Sequence, residues 1–112
     1  MSAGQILGAL RLAWGTALLG APLRCISLVP GAPAGVPDDA VTVARVLGGR
    51  HVLQGLAEIA VWPSLRRLGA AADILHAATG VALAATDRRW RSVARADAAL
   101  ATGFAVAGLA AR

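Results

Sequence analysis

Two short stretches of this chain place ionisable side chains inside otherwise apolar surroundings. Arg50, His51, Gln54 and Glu58 fall in the first, and Asp73 and His76 in the second. On a helix turning about 100° per residue, Arg50, His51, Gln54 and Glu58 share an arc of roughly 100°. Asp73, His76 and Thr79 likewise share one face of the following helix. A turn around Ser64 makes the two helices antiparallel, which sets Asp73 level with Gln54 to Glu58 and His76 level with His51 to Gln54. Carboxylates, imidazoles, an amide and a guanidinium are therefore expected in one layer. Arg11, midway along the first predicted helix, is a further candidate to join it.

That layer admits three chemistries. In the first, Arg50 pairs with Asp73 or Glu58, the His and Gln side chains satisfy what remains, and the network fixes helix register. In the second, the imidazoles and carboxylates form a pathway for protons, ions or a small ligand. The third is a metal set drawn from His51, Glu58, Asp73 and His76. It lacks the spacing of a metallohydrolase helix, and Arg50 beside it would repel a cation, so no metal is expected. The first two part on one test, because a structural Asp73 or His76 destabilises the fold when replaced by Ala. A pathway residue leaves the fold intact and abolishes only activity.

The elements that must position these groups are long and greasy. Hydrophobic residues make up 57% of the 112 residues and charged ones 15%, against roughly 25% charged in soluble domains. Ala and Gly dominate, which suits helices that associate by close backbone approach in lipid better than a soluble core. Four helices are predicted, over residues 3–19, 40–61, 65–85 and 90–110, forming a single all-α domain over 1–112. Spans of about 17 to 22 residues match a bilayer crossing. The expected fold is a four-helix transmembrane bundle with short loops and one longer Pro/Gly-rich loop, from Arg24 to Pro37, between helices one and two. Asp38 and Asp39 supply negative charge at the start of the second helix. Arg45 points away from the polar layer, near enough to a helix end to snorkel. Gly4, Gly8 and Gly15 in the first helix, and Ala99, Gly103 and Ala107 in the fourth, have the spacing of close helix contacts.

All eleven basic residues are arginine, and the net charge is +5. They cluster near predicted helix ends with no aromatic-studded basic face, which reads as membrane-flanking charge and excludes nucleic acid as an expected partner. Arg88, Arg89, Arg91 and Arg95 form the one charge run, a membrane-anchoring end whose functional alternative is contact with anionic lipid or an acidic partner. The arginine balance between loops leans toward a cytoplasmic third loop. Trp62 and Trp90 sit at helix ends, where interfacial aromatics belong. A single cysteine, Cys25, excludes an internal disulfide. Leu12 to Leu23 followed by Ala32-Pro33-Ala34 has the outline of a secretory signal, but Met1 to Leu10 carries no positive side chain, so cleavage is not expected. No phosphate-binding loop, nucleophile elbow or dinucleotide fingerprint is present, and neither catalytic residues nor a cofactor are expected.

The order of landmarks resembles a group of small actinobacterial four-helix integral membrane proteins of unknown function. The resemblance is carried by Arg11 with Trp14-Gly15, by Arg45-Val46-Leu47-Gly48-Gly49-Arg50-His51 with Gln54, by Leu68-Gly69 with Asp73 and His76, and by Arg89 to Asp97. It implies a multi-pass protein of the plasma membrane and supplies no activity, substrate or cofactor. The expected role is an accessory or interaction component of a membrane complex, with a protein partner or a second copy of the chain beside the lipid bilayer. The alternative is a small transporter or channel-like component using the same polar layer.

Overall fold

The computed structural model of the chain describes residues 2–61 and 66–110. Five α-helices and no strand occur among them: α1 (Ala3–Gly20), α2 (Pro22–Ser27), α3 (Asp38–Val61), α4 (Arg66–Thr86) and α5 (Arg91–Ala110). The four long helices match the expected ones to within a few residues. The turn expected at Pro63 and Ser64 and the interfacial Trp62 lie outside the described residues.

Local chemistry explains the boundaries. Ser2 and Gln5 form a reciprocal capping box at the start of α1, with the Gln5 N–H donating to Ser2 Oγ at 3.1 Å and the Ser2 N–H to Gln5 Oε1 at 3.0 Å. Pro22 ends α1, and then opens the unexpected one-and-a-half-turn α2, because a proline at the first helical position gives up no hydrogen bond. Asp38 and Asp39 lie inside the first turn of α3, not ahead of it, and the helix reaches back to the Pro37 carbonyl. Negative charge there complements the helix dipole.

The long helices form two antiparallel pairs, α1 with α3 and α4 with α5. Glycines set the first pair. A Cβ at Gly8 would stand 2.8 Å from the Gly55 carbonyl, and one at Gly55 would stand 2.6 Å from that of Gly8. Seven residues further along each helix, Gly15 and Gly48 repeat the relation at 2.6 and 2.8 Å. Two backbone-to-backbone contacts one heptad apart thus fix the α1–α3 register. In the second pair Gly80 of α4 meets Ala94 and Ala98 of α5. The stripe of Ala99, Gly103 and Ala107 does not mediate contact within the chain; it faces outward, with no atom within 4 Å of a Cβ built at Gly103.

Polarity runs inside out. The largest wholly buried side chains among the described residues are Arg11, Glu58 and Asp73, while much of the remaining core is alanine. Leu10, Val46, Leu53, Leu75 and Val106 are each more than half exposed. Two of the helices, over Arg67–Thr86 and Arg91–Ala110, are long and apolar enough to cross a membrane. The glycine geometry makes a direct prediction. Gly15→Ala lowers stability by about 1–3 kcal/mol through overpacking, whereas Gly103→Ala is neutral or stabilises by up to about 1 kcal/mol through helix propensity. Equilibrium denaturation of the two variants checks this, and equal effects would contradict the register described.

Candidate functional site

The close α1–α3 contact brings Arg11 to the centre of the molecule. Its Nε donates to Glu58 Oε2 on α3 at 3.2 Å. Its two terminal nitrogens donate to the two Asp73 oxygens on α4, each at 2.8 Å. The guanidinium carbon also lies 4.3 Å from the centroid of the Phe104 ring on α5. One side chain on α1 therefore engages all three other long helices. Bidentate pairing with Asp73 uses the planar fork of arginine, which lysine cannot reproduce.

Arg50 completes the cluster from the rim. Its Nη2 donates to Asp73 Oδ1 at 3.2 Å, and its side chain remains about one-third exposed. Two guanidinium groups thus face two carboxylates, and the cluster is neutral as a whole. Charge balance and directed hydrogen bonds are the conditions under which buried ions are tolerated. Gly69 provides the opening through which α3 reaches α4. A Cβ there would stand 2.9 Å from Gln54 Nε2 and 3.1 Å from Glu58 Oε1. Gln54 donates a long hydrogen bond of 3.4 Å to the Gly69 carbonyl.

The expected layer therefore forms in part. Arg50, Glu58 and Asp73 meet as expected and Gln54 lies beside them, but Arg11, not Arg50, is the hub. His51 is buried next to the cluster without joining its ion pairs. Its ring centroid lies 5.8 Å from that of Phe104, and its Nδ1 has no hydrogen-bond partner among the described residues. His76 turns away from the layer altogether: its Nε2 pairs with Asp97 on α5. Sequence reasoning missed Asp97 as a site residue. Its signal was an ionisable group nearly two turns inside an apolar helix. Among the described residues no group of His, Cys, Asp and Glu is arranged to hold a metal ion.

The arginine run is divided by the structure. Arg91 Nε donates to the Ala84 carbonyl at 2.7 Å, closing the end of α4, and Arg89 Nη2 donates to the Gly35 carbonyl at 2.6 Å. Arg89 thereby ties the loop between α2 and α3 to the α4–α5 turn. Arg88 and Arg95 are exposed and available for lipid or partner contacts. Cys25 is buried, and burial pushes its thiol pKa up from the ordinary value, so the neighbouring Arg24 does not make it a reactive thiolate.

A cavity of about 800 Å³ opens at the end of the bundle that carries α2. Trp14 and Leu18 of α1, Leu47 of α3 and Leu100 of α5 line its apolar walls, and Asp39, Arg89 and Asp97 are its charged lining residues.

The cluster ranks its members by burial and by partners lost. Arg11→Ala strands two buried carboxylates and costs about 3–5 kcal/mol. Arg50→Ala removes a half-solvated partner and costs about 1 kcal/mol or less, while Arg88→Ala stays within about 0.5 kcal/mol. Denaturation curves of the three variants test that order, and an Arg11 variant as stable as the Arg88 variant would refute it.

Comparison with protein-family models, with curated proteins and with solved structures gives no match in any of the three, so the resemblance to the small actinobacterial proteins rests on the sequence landmarks alone.

Proposed function

We propose that the chain is a multi-pass protein of the plasma membrane, with α1, α3, α4 and α5 all crossing the bilayer, and that it serves as a non-enzymatic accessory component of a membrane complex. The observation that carries this reading is the inside-out polarity: charged Arg11, Glu58 and Asp73 are buried while leucines and valines are exposed. In water that arrangement leaves the hydrophobic effect largely unused. In lipid it is favourable, because an unpaired charge at mid-bilayer costs about 2.5–3.5 kcal/mol even on insertion scales and here each is paired.

Hydropathy alone favours only α4 and α5 as spans. It counts a residue whichever way it faces, and the groups that depress α1 and α3 include Arg11, His51 and Glu58, which face inward. Their outward residues include Ile6, Leu10, Val46, Leu53 and Leu56. A closed, neutral cluster supports a structural role for the polar layer, because every ion in it already has a partner within the chain. What remains for function is the outer surface, where the small-residue face of α5 and the exposed Arg88 and Arg95 are free to meet a partner protein or a second copy.

The transport reading has one observation of its own. The His76–Asp97 pair is only partly buried, and Asp97 stands on the cavity wall. Both side chains are reachable from outside, unlike Arg11, Glu58 and Asp73.

Gentle-detergent extraction of the tagged protein from its native membrane, with intact-mass measurement of the assembly, tests the accessory role. A foreign subunit in fixed stoichiometry is the expected result, and the Asp73→Ala variant should lose both its fold and that subunit. A bare homo-oligomer, with the His76→Ala variant folded normally yet inactive in substrate flux, would replace the accessory role by transport.

A further inference from the structure

The cavity is a site distinct from the buried cluster, and its chemistry is selective. On a chain of net charge +5, its lining carries two carboxylates, Asp39 and Asp97, against one guanidinium, Arg89. One nitrogen of that guanidinium donates to the Gly35 carbonyl, and its carbon lies 5.8 Å from the Trp90 ring centroid. Asp39 is exposed, and one of its oxygens accepts the Ala40 N–H at 2.8 Å. Asp97 joins the lining from nearly two turns along α5, with a side chain about one-quarter exposed. The remaining wall is apolar and includes the indoles of Trp14 and Trp90.

We infer that this cavity binds a lipophilic monocation, such as a quaternary ammonium or a protonated hydrophobic amine, with Asp97 as its counter-ion. Three features select that class together. An apolar wall rejects small hydrated cations, which keep their water more readily than they shed it. Indole faces attract organic cations, whose charge is diffuse and weakly hydrated, and Trp14 is a lining indole that no arginine covers among the described residues. The volume of about 800 Å³ falls within the roughly 300–1,000 Å³ of small-molecule sites. An anionic amphiphile meets the opposite balance, because the lining sets two carboxylates against one guanidinium.

The pairing of Asp97 with His76 gives the site an internal competitor. His76 on α4 engages the carboxylate that the bound cation requires, so ligand and imidazole contend for one anion. Binding needs only the cavity and Asp97. It requires neither a partner protein nor a particular number of membrane spans, and stands or falls separately from the accessory role.

The test is equilibrium binding to the purified full chain in detergent, using tetraphenylphosphonium and its anionic counterpart of the same shape, tetraphenylborate. Saturable binding of the phosphonium, at least tenfold tighter than that of the borate, is expected. Asp97→Asn should weaken phosphonium binding tenfold or more, and Asp38→Asn, at the exposed start of α3, should leave it unchanged. His76→Ala, by freeing the carboxylate, should tighten it severalfold, which keeps the inference testable even where the Asp97 variant fails to fold. Equal affinity for the two ions, absence of saturable phosphonium binding, or weakening by His76→Ala would each overturn it.

Discussion

The guanidinium of Arg11, held between Glu58 and Asp73, is the interaction on which the tertiary arrangement depends. Within each helix pair the association needs no charge, because glycine and alanine let backbones approach until carbonyls meet Cα positions. Between the pairs such close packing is largely absent, and side chains must bridge the space. Arg11 does so with directed bonds to both α3 and α4 and an aromatic contact to α5. Directionality matters here. Alanine surfaces are interchangeable and would permit sliding, whereas a bidentate ion pair has one geometry.

The two devices depend on each other. Gly8 and Gly15 flank Arg11 on the face of α1 that meets α3, so the register that seats those glycines also delivers the guanidinium to Glu58. Gly69 plays the matching part on α4 by leaving room for Gln54 and Glu58. At the end that carries α2 the Arg89 strap joins the loop before α3 to the α4–α5 turn, and there the molecule keeps its cavity. A tight polar centre and an open apolar end are thus consequences of where the small and the charged residues stand.

Much of this was legible in the residues before the fold was seen. Long helices follow from length and Pro/Gly punctuation, and the meeting of Arg50, Glu58 and Asp73 follows from helical spacing and an antiparallel turn. The spacing of Gly8 and Gly15 marks them as packing positions, but not their reciprocal partners Gly55 and Gly48 on α3. The hub role of Arg11 was not legible, because spacing within a helix does not reveal which helix lies beside it. His76 illustrates the same limit. Its position one turn from Asp73 suggests a shared face, yet the angular width of that face spans two neighbours, and α5 claims the imidazole through Asp97. The helix α2 was hidden because three prolines in the following segment mask the one that can start a helix.

The central claim is that all four long helices lie in lipid with their leucines outward and their charges inward. Spin labels placed singly at Leu10, Leu53, Leu75 and Val106, one on each long helix and all more than half exposed, test it in bilayer nanodiscs. High accessibility to oxygen and low accessibility to a water-soluble nickel chelate at all four positions is the expected result. Water-like accessibility at Leu10 and Leu53, with lipid-like values only at Leu75 and Val106, would restrict the membrane to α4 and α5 and contradict the four-span bundle.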